Sequence, residues 1–199
     1  MYNNNNYILA SSSKSRLRIL KNSGFPFKSV HPTCDEEKIK NNLKKKLTPP
    51  SIIAKKLSFE KARSVSKDKK YINYNVIGCD TLIYINNSIF DKAKSIGEAK
   101  QKIQKLSGKT HKIVSGVTIC KNGKKIWQCS EVTSVKIRNL SKSQINLYLK
   151  KTGQSILSSV GCYQAELLGP QIIENIKGDL FNVMGLPLFK LLNHIMRSK

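Results

Sequence analysis

Tyr7-Ile8-Leu9-Ala10-Ser11-Ser12-Ser13-Lys14-Ser15-Arg16-Leu17-Arg18-Ile19-Leu20 reads as a strand, a serine loop and a helix in immediate succession. The opening run suits a buried strand, and Leu17, Ile19 and Leu20 give the segment after it an apolar side. Serines between the two supply N-caps, and Gly24, just past Asn22-Ser23, is a natural stop. Working outward, Phe25 to Thr33 returns as an extended segment, Asp35-Glu36-Glu37 opens a short Lys-rich helix ending before Pro49-Pro50, and Ser51 caps a helix to about Ser66 with Ile53, Leu57, Lys61 and Ser64 along one face. Tyr74 to Cys79 is an apolar strand that delivers Asp80 at its C-terminal end, and Leu82 to Ile85 with Ser88 to Phe90 resembles a hairpin turned at Asn86-Asn87.

The second half carries clearer punctuation. Ser95 with Glu98 is a capping box opening a helix that stops at Gly108, and Ser141 with Gln144 is another, closed by Gly153. Thr110 to Cys120 and Lys125 to Arg138 are long strands joined at Asn122-Gly123, a strong hairpin signal. A loop at Gly161 to Gly169, a strand at Gln171 to Ile176 and a last helix around Leu186 to Met196 complete the chain. Helices alternate with strands and a long hairpin follows, so the expected fold is α/β, a mixed sheet covered by helices. At 199 residues the chain is long enough for one domain, the default, or two intimately packed lobes.

Composition narrows the function classes. Lys and Arg total 36 against 12 acids, a formal net charge of +24 that attracts polyanions without choosing among nucleic acid, anionic lipid and phosphorylated metabolite. The lysines are spread throughout and accompany many asparagines, a usage expected of an A+T-rich genome, while aromatics are only 7% and form no RNP-type run. Cys34, Cys79, Cys120, Cys129 and Cys162 form no C-x-x-C pair, which argues against a metal cluster or disulfide framework and predicts reduced thiols in the cytoplasm. Met1 to Asn6 lacks the basic and apolar regions of a signal peptide, and no apolar run approaches the roughly 18–20 residues of a membrane span.

Two segments carry potential chemistry. Val76-Ile77-Gly78-Cys79-Asp80-Thr81 ends a buried-looking run on a carboxylate, which can bind metal, accept a proton from water, or simply cap a turn. The serine corner offers hydroxyls and free helix N–H groups to an anion, with Arg16 in the first turn, although plain capping explains the same residues. There is no G-x-x-x-x-G-K-[ST] and no G-x-G-x-x-G.

Taken in order, Leu9-Ala10-Ser11-x-Ser13-x-x-Arg16, Asp35-Glu36, Glu60-Lys61-Ala62, Val76-Ile77-Gly78-x-Asp80-Thr81, Phe90-Asp91-Lys92, Leu106-Ser107-Gly108-Lys109-Thr110-His111, Gly161-x-Tyr163, Ile176-x-Gly178-Asp179 and Gly185-Leu186-Pro187-Leu188 resemble the Maf family, nucleoside triphosphate pyrophosphatases once named septum-formation inhibitors. The resemblance runs from Ile8 to about Leu192. It implies one Maf-like domain over residues 1–199, with a family-like core at 7–192, a disordered tail at 1–6, and an elongated, inosine-triphosphatase-like α/β fold with a deep central cleft. It also implies a possible homodimer that hydrolyses a nucleoside triphosphate to the monophosphate and pyrophosphate with Mg²⁺ or Mn²⁺, removing non-standard or surplus nucleotides in the cytoplasm.

The same resemblance assigns residue roles. Asp80 falls on the proton-acceptor position, Glu36 joins Asp80 as a metal carboxylate, and Ser11, Ser13, Arg16, Lys61 and Lys92 contact phosphate. Ser15, Thr81 and Glu166 fall on positions that discriminate substrates. Thr81 points toward the pyrimidine-preferring group, whereas Glu166 favours a base edge presenting N–H donors, such as guanine or a methylated purine. His111 and Asp179 read more simply as packing or hydrogen-bonding residues. The chain departs from the family at Lys14, Leu17, Cys79, Ala93 and Leu167; Leu17 replaces a frequent second arginine, whose bidentate fork Lys14 cannot supply. The net charge and this altered corner leave an alternative, a basic nucleic-acid-binding or cell-division regulatory protein on the same scaffold with weakened catalysis.

Overall fold

The computed structural model describes residues 6–86 and 88–197 of the chain. The strands are β1 (Tyr7–Ala10), β2 (Lys28–Val30), β3 (Asn75–Ile85), β4 (Ser88–Phe90), β5 (Thr110–Lys121), β6 (Lys124–Ile137) and β7 (Ile173–Lys177). The helices are α1 (Lys14–Asn22), α2 (Glu36–Lys45), α3 (Pro50–Ser66), α4 (Ile96–Leu106), α5 (Lys142–Thr152), α6 (Leu180–Val183) and α7 (Leu188–Arg197). Seven strands form a mixed sheet in the order β2-β1-β3-β5-β6-β7, with β4 on β3. This is the α/β architecture expected from the alternation of strands and helices.

The strand order has a functional consequence. β1 pairs in parallel with β2 on one side and β3 on the other, so the chain leaves β1 in one direction and later returns to its opposite flank. Ligands of open α/β sheets bind beyond the carboxyl ends of strands at such a reversal. The β1–β3 pairing ends at Ala10↔Gly78, which puts Ser11 and Asp80 just past the parallel segment. β3 then runs on and turns antiparallel onto β4.

By contact density the chain divides into two compact units. The first holds the described residues up to Thr81, together with Val114–Glu131 and the segment from Gly185 onward. Its core includes Ile8, Ala10, Ala62, Val65, Val76 and Cys120. α3 lies close against the sheet because two strand residues lack side chains: a Cβ at Gly78 would sit 2.1 Å from Ser58 O, and one at Gly116 would sit 2.4 Å from Ala54 O. A buried Ser58–Thr118 hydroxyl pair at 2.7 Å fixes the register of that helix on β5.

The second unit comprises Leu82–Ile113 and Val132–Met184 and has its own apolar core, built from Ile83, Ile103, Leu106, Ile113, Ile137, Ile145 and Tyr148 among others. Asn122 and Gly123, both at positive φ (48° and 71°), form the tight β5–β6 turn that their sequence predicts. Among the described residues no helix is long and apolar enough to cross a membrane.

Several boundaries differ from expectation. Asp80 lies inside β3 rather than at a strand end, because the chain exchanges parallel pairing with β1 for antiparallel pairing with β4 without a break. α3 starts at Pro50 with Pro49 before it and no side-chain cap, so Ser51 is already helical; a proline at N1 has no N–H to satisfy. Ser64 is only half-buried, while Ala62 and Val65 complete the inward face. Glu98 reaches past Ser95 and accepts from the Lys94 N–H, so only the Ser95 half of that capping box forms; the Ser141–Gln144 box is complete. A 3₁₀ turn at Gly169–Gln171 delays β7 to Ile173, and Pro187 delays the last helix to Leu188. Of the expected tail, residues 1–5 lie outside the described residues, while the Asn6 carbonyl accepts from the Asn75 N–H at 2.9 Å. Asn87 of the expected Asn86-Asn87 turn also lies outside them.

Candidate active site

Side chains alternate along β3, so Gly78 and Asp80 share one face and Cys79 and Thr81 the other. The first face meets α3. One turn beyond Ser58, which crowds Gly78, Lys61 points its ammonium at Asp80 and donates to Oδ1 at 2.7 Å. The same ammonium pairs with Glu36 Oε2 at 2.8 Å, from the first turn of α2. Lys61 and Asp80 are 5% and 8% exposed, whereas Glu36 is open to solvent. Burial is the largest influence on Lys61 and lowers its pKa, and Arg16 lowers it further, but Asp80 and Glu36 outweigh both and hold it above its ordinary value. The ammonium therefore stays charged between two carboxylates, as a buried ion needs.

The second face of β3 meets α1 and the turn before α7. Arg16 is buried, and its Nε donates to the Gly185 carbonyl at 2.7 Å while Nη2 donates to Thr81 Oγ1 at 3.0 Å. Gly185 has φ +104°, a backbone state that aims its carbonyl here and that L side chains rarely adopt. Ser13 caps α1 by accepting from the Arg16 N–H at 3.5 Å, and Ser11 Oγ accepts from the Ser13 N–H at 3.2 Å and from Arg16 Nη1 at 3.5 Å. Both serines thus make internal bonds at the mouth of the helix. Lys14 is exposed and Ser15 half-buried beside them.

The first unit therefore holds two clusters, Glu36, Lys61 and Asp80 on one face of β3 and Ser11, Ser13, Arg16 and Thr81 on the other, close enough for the Arg16 charge to lower the Lys61 pKa. Lys92 and Glu166 belong to the second unit, Lys92 exposed between β4 and α4, Glu166 half-buried between α5 and β7. His111 is a core residue of that unit, with Nε2 at 2.6 Å from the Tyr163 hydroxyl; Nδ1 has no partner among the described residues, and burial pulls the pKa down to about 4. Asp179 caps α6 by accepting from the Phe181 N–H at 2.8 Å. Ser115, which belongs to no motif, is fully buried on β5 and lies 2.8 Å from Thr81 Oγ1. Its only signal is a hydroxyl among the apolar residues of a buried strand.

The family description "Maf-like protein" matches residues 6–198. The chain belongs to the Maf family. It is 37% identical over 187 residues to a "Nucleoside triphosphate pyrophosphatase" of Caulobacter vibrioides, covering 94% of this chain and 92% of that one. It is 36% identical to a "7-methyl-GTP pyrophosphatase" of Brucella abortus, covering 96% of each, and 39% identical to one so named from Bartonella quintana, covering 93% of this chain and 91% of the relative.

In this Maf protein the donor set suits a metal that arrives with its substrate. Among the described residues no group of three or more His, Cys, Asp and Glu could hold an ion alone. Glu36 and Asp80 nevertheless both reach one Lys61 ammonium. Magnesium is commonly held by one or two carboxylates, with waters and substrate phosphates completing the shell. Two carboxylates convergent on one point fit that pattern.

Proposed function

We propose that this Maf protein uses Asp80 as the proton acceptor in hydrolysing a nucleoside triphosphate to the monophosphate and pyrophosphate. The observation that carries this reading is the Glu36–Lys61–Asp80 cluster just past the β1–β3 parallel segment. A water oxygen bonds to the α-phosphorus, the bond from that phosphorus to the α,β-bridging oxygen breaks, and the water proton passes to the Asp80 carboxylate. Lys61 and Arg16 set fixed positive charge against the triphosphate and the leaving pyrophosphate, with Ser11, Ser13 and the α1 N-terminus as further donors. Lys92 is assigned to phosphate by its motif alone. Glu36 and Asp80 are the residues to hold Mg²⁺ or Mn²⁺, which when bound neutralises phosphate charge and polarises the phosphoryl oxygens.

For the base, relatives named for nucleoside triphosphates and for 7-methyl-GTP match this chain at similar identity. Glu166, assigned by position together with Ser15, favours bases presenting N–H donors, guanine and 7-methylguanine among them. The expected role is removal of non-standard or surplus nucleotides. A panel of canonical and modified triphosphates, each with Mg²⁺ and Mn²⁺, tests the reading by its products. Pyrophosphate plus monophosphate is the expected outcome, and release of orthophosphate would assign a different reaction.

A further inference from the structure

Thr81 occupies a position that the family resemblance associates with choice of nucleobase, yet its hydroxyl has three polar partners within the protein. A threonine hydroxyl has one proton and two acceptor lone pairs. Arg16 Nη2 donates to it at 3.0 Å, Ser115 Oγ lies 2.8 Å away, and the Gly185 carbonyl accepts from it at 3.2 Å. All three contacts are satisfied together when Ser115 also donates to Oγ1. In that arrangement no donor or acceptor of Thr81 remains for a base edge.

The same contacts fix Arg16. Its Nε and Nη2 form one side of the planar guanidinium, and that side is docked on the Gly185 carbonyl and Thr81 Oγ1. The Gly185 carbonyl also accepts from the Cys79 thiol at 3.1 Å, so three donors lie within hydrogen-bond reach of it. Nη1 makes one long contact, 3.5 Å to Ser11 Oγ, at the limit of a hydrogen bond. The Nη1–Nη2 end therefore keeps N–H donors in the parallel geometry that matches phosphate oxygens. A guanidinium anchored along one side is already oriented at the other, so less rotamer freedom is lost when an oxyanion binds.

We infer that Thr81 and Ser115 are positioning residues that act through Arg16 on the phosphates. The inference rests on the proposed role of Arg16 as a phosphate ligand. With Ser115, buried on β5, donating to Thr81 Oγ1, the Thr81 proton is directed to the Gly185 carbonyl; Thr81 and Gly185 then hold the guanidinium. The positioning has one consequence that base reading lacks: its loss is felt equally by every nucleotide.

Thr81→Val keeps the shape and removes the hydroxyl, Thr81→Ser keeps the hydroxyl, and Ser115→Ala removes the supporting donor. Across the triphosphate panel, Thr81→Val and Ser115→Ala raise KM by roughly fivefold to tenfold, the weight of about one hydrogen bond, and by the same factor for each base. Product inhibition by pyrophosphate weakens in parallel, and Thr81→Ser restores both. A changed ranking of bases in Thr81→Val, or unaltered KM and pyrophosphate inhibition in both variants, overturns the inference. Calorimetric binding of inorganic tripolyphosphate to the same proteins separates this from the reaction itself. If the wild type releases no pyrophosphate, the proposed reaction fails, while weaker tripolyphosphate binding by Thr81→Val and Ser115→Ala still supports the positioning role, and equal binding rejects it.

Discussion

Asp80 stands between two demands, a buried carboxylate that needs a partner and a base that needs access to water. Lys61 meets the first by donating to Oδ1 at 2.7 Å, and a modest exposure of 8% preserves the second. Asp80→Asn separates them, because the amide oxygen still accepts from the ammonium while the proton acceptor is lost. Turnover should fall at least about a hundredfold, roughly 2.7 kcal/mol of transition-state stabilisation, with the fold retained but the melting temperature lowered, because buried Lys61 loses its strongest charge partner. Near-normal pyrophosphate release by the variant would remove Asp80 from the mechanism. His111 shows the opposite use of burial. Its ring is packed against Tyr163 with no acceptor for Nδ1 among the described residues, and its pKa falls from 6.5 to about 4. A base whose pKa is depressed on folding binds its proton preferentially in the unfolded chain, so the stability it confers is complete above pH 6.5 and is lost as pH falls toward 4. The loss amounts to about 3 kcal/mol across that window. Denaturant unfolding at a series of pH values should give a steep acid limb for the wild type and a flatter one for His111→Gln; equal slopes would show that other groups control acid unfolding.

At the scale of elements, the site depends on how closely α3 can approach β3 and β5. A methyl at Gly78 would sit 2.1 Å from a backbone oxygen and 2.6 Å from the Ala62 nitrogen, neither of which can rotate away. Gly78→Ala should therefore push the helix outward, at a cost of about 1–3 kcal/mol, and carry Lys61 away from Asp80. Thermal melts and kcat/KM check this together: both should fall, and a variant with native stability and native activity would show that the helix adapts at no cost. Much of this scaffold is legible in the residues. The strand, serine loop and helix of Tyr7 to Leu20, the Asn122-Gly123 turn and the Ser141–Gln144 box follow from local chemistry and form as local chemistry predicts. The residues alone put Asp80 at a strand end, because a strand that changes partners in mid-course leaves no mark in its own sequence. The site divides in the same way. Its motifs named Lys61, Asp80 and Glu36, but no spacing foretells that one ammonium joins residues 25 and 19 positions away. Ser115 and the Gly185 carbonyl were beyond reach, since they gain meaning only through tertiary contact with Arg16 and Thr81.

For the molecule as a whole, the dominant fact is a formal charge of +24 on 199 residues. Like charges at this density repel within the folded chain, and the same field draws a triphosphate of nearly four negative charges toward the site. Salt screens both effects, since the Debye length shrinks from tens of ångströms at about 10 mM to about 8 Å at physiological strength. One variable should therefore move stability and substrate affinity in opposite senses. Raising sodium chloride from about 20 mM to about 300 mM should increase the melting temperature by a few degrees as self-repulsion is screened, and raise KM several-fold as attraction to the triphosphate weakens. Pairs already in contact and shielded from water respond less to screening, so kcat, which depends on Asp80 and Lys61 at 2.7 Å, should stay nearly constant over the same range. The three readings separate the charge of the whole surface from the charge of the site. If kcat fell in step with the rise in KM, the Lys61–Asp80 pair would be responding to bulk ions as an exposed pair does, and its buried geometry would not describe the working enzyme.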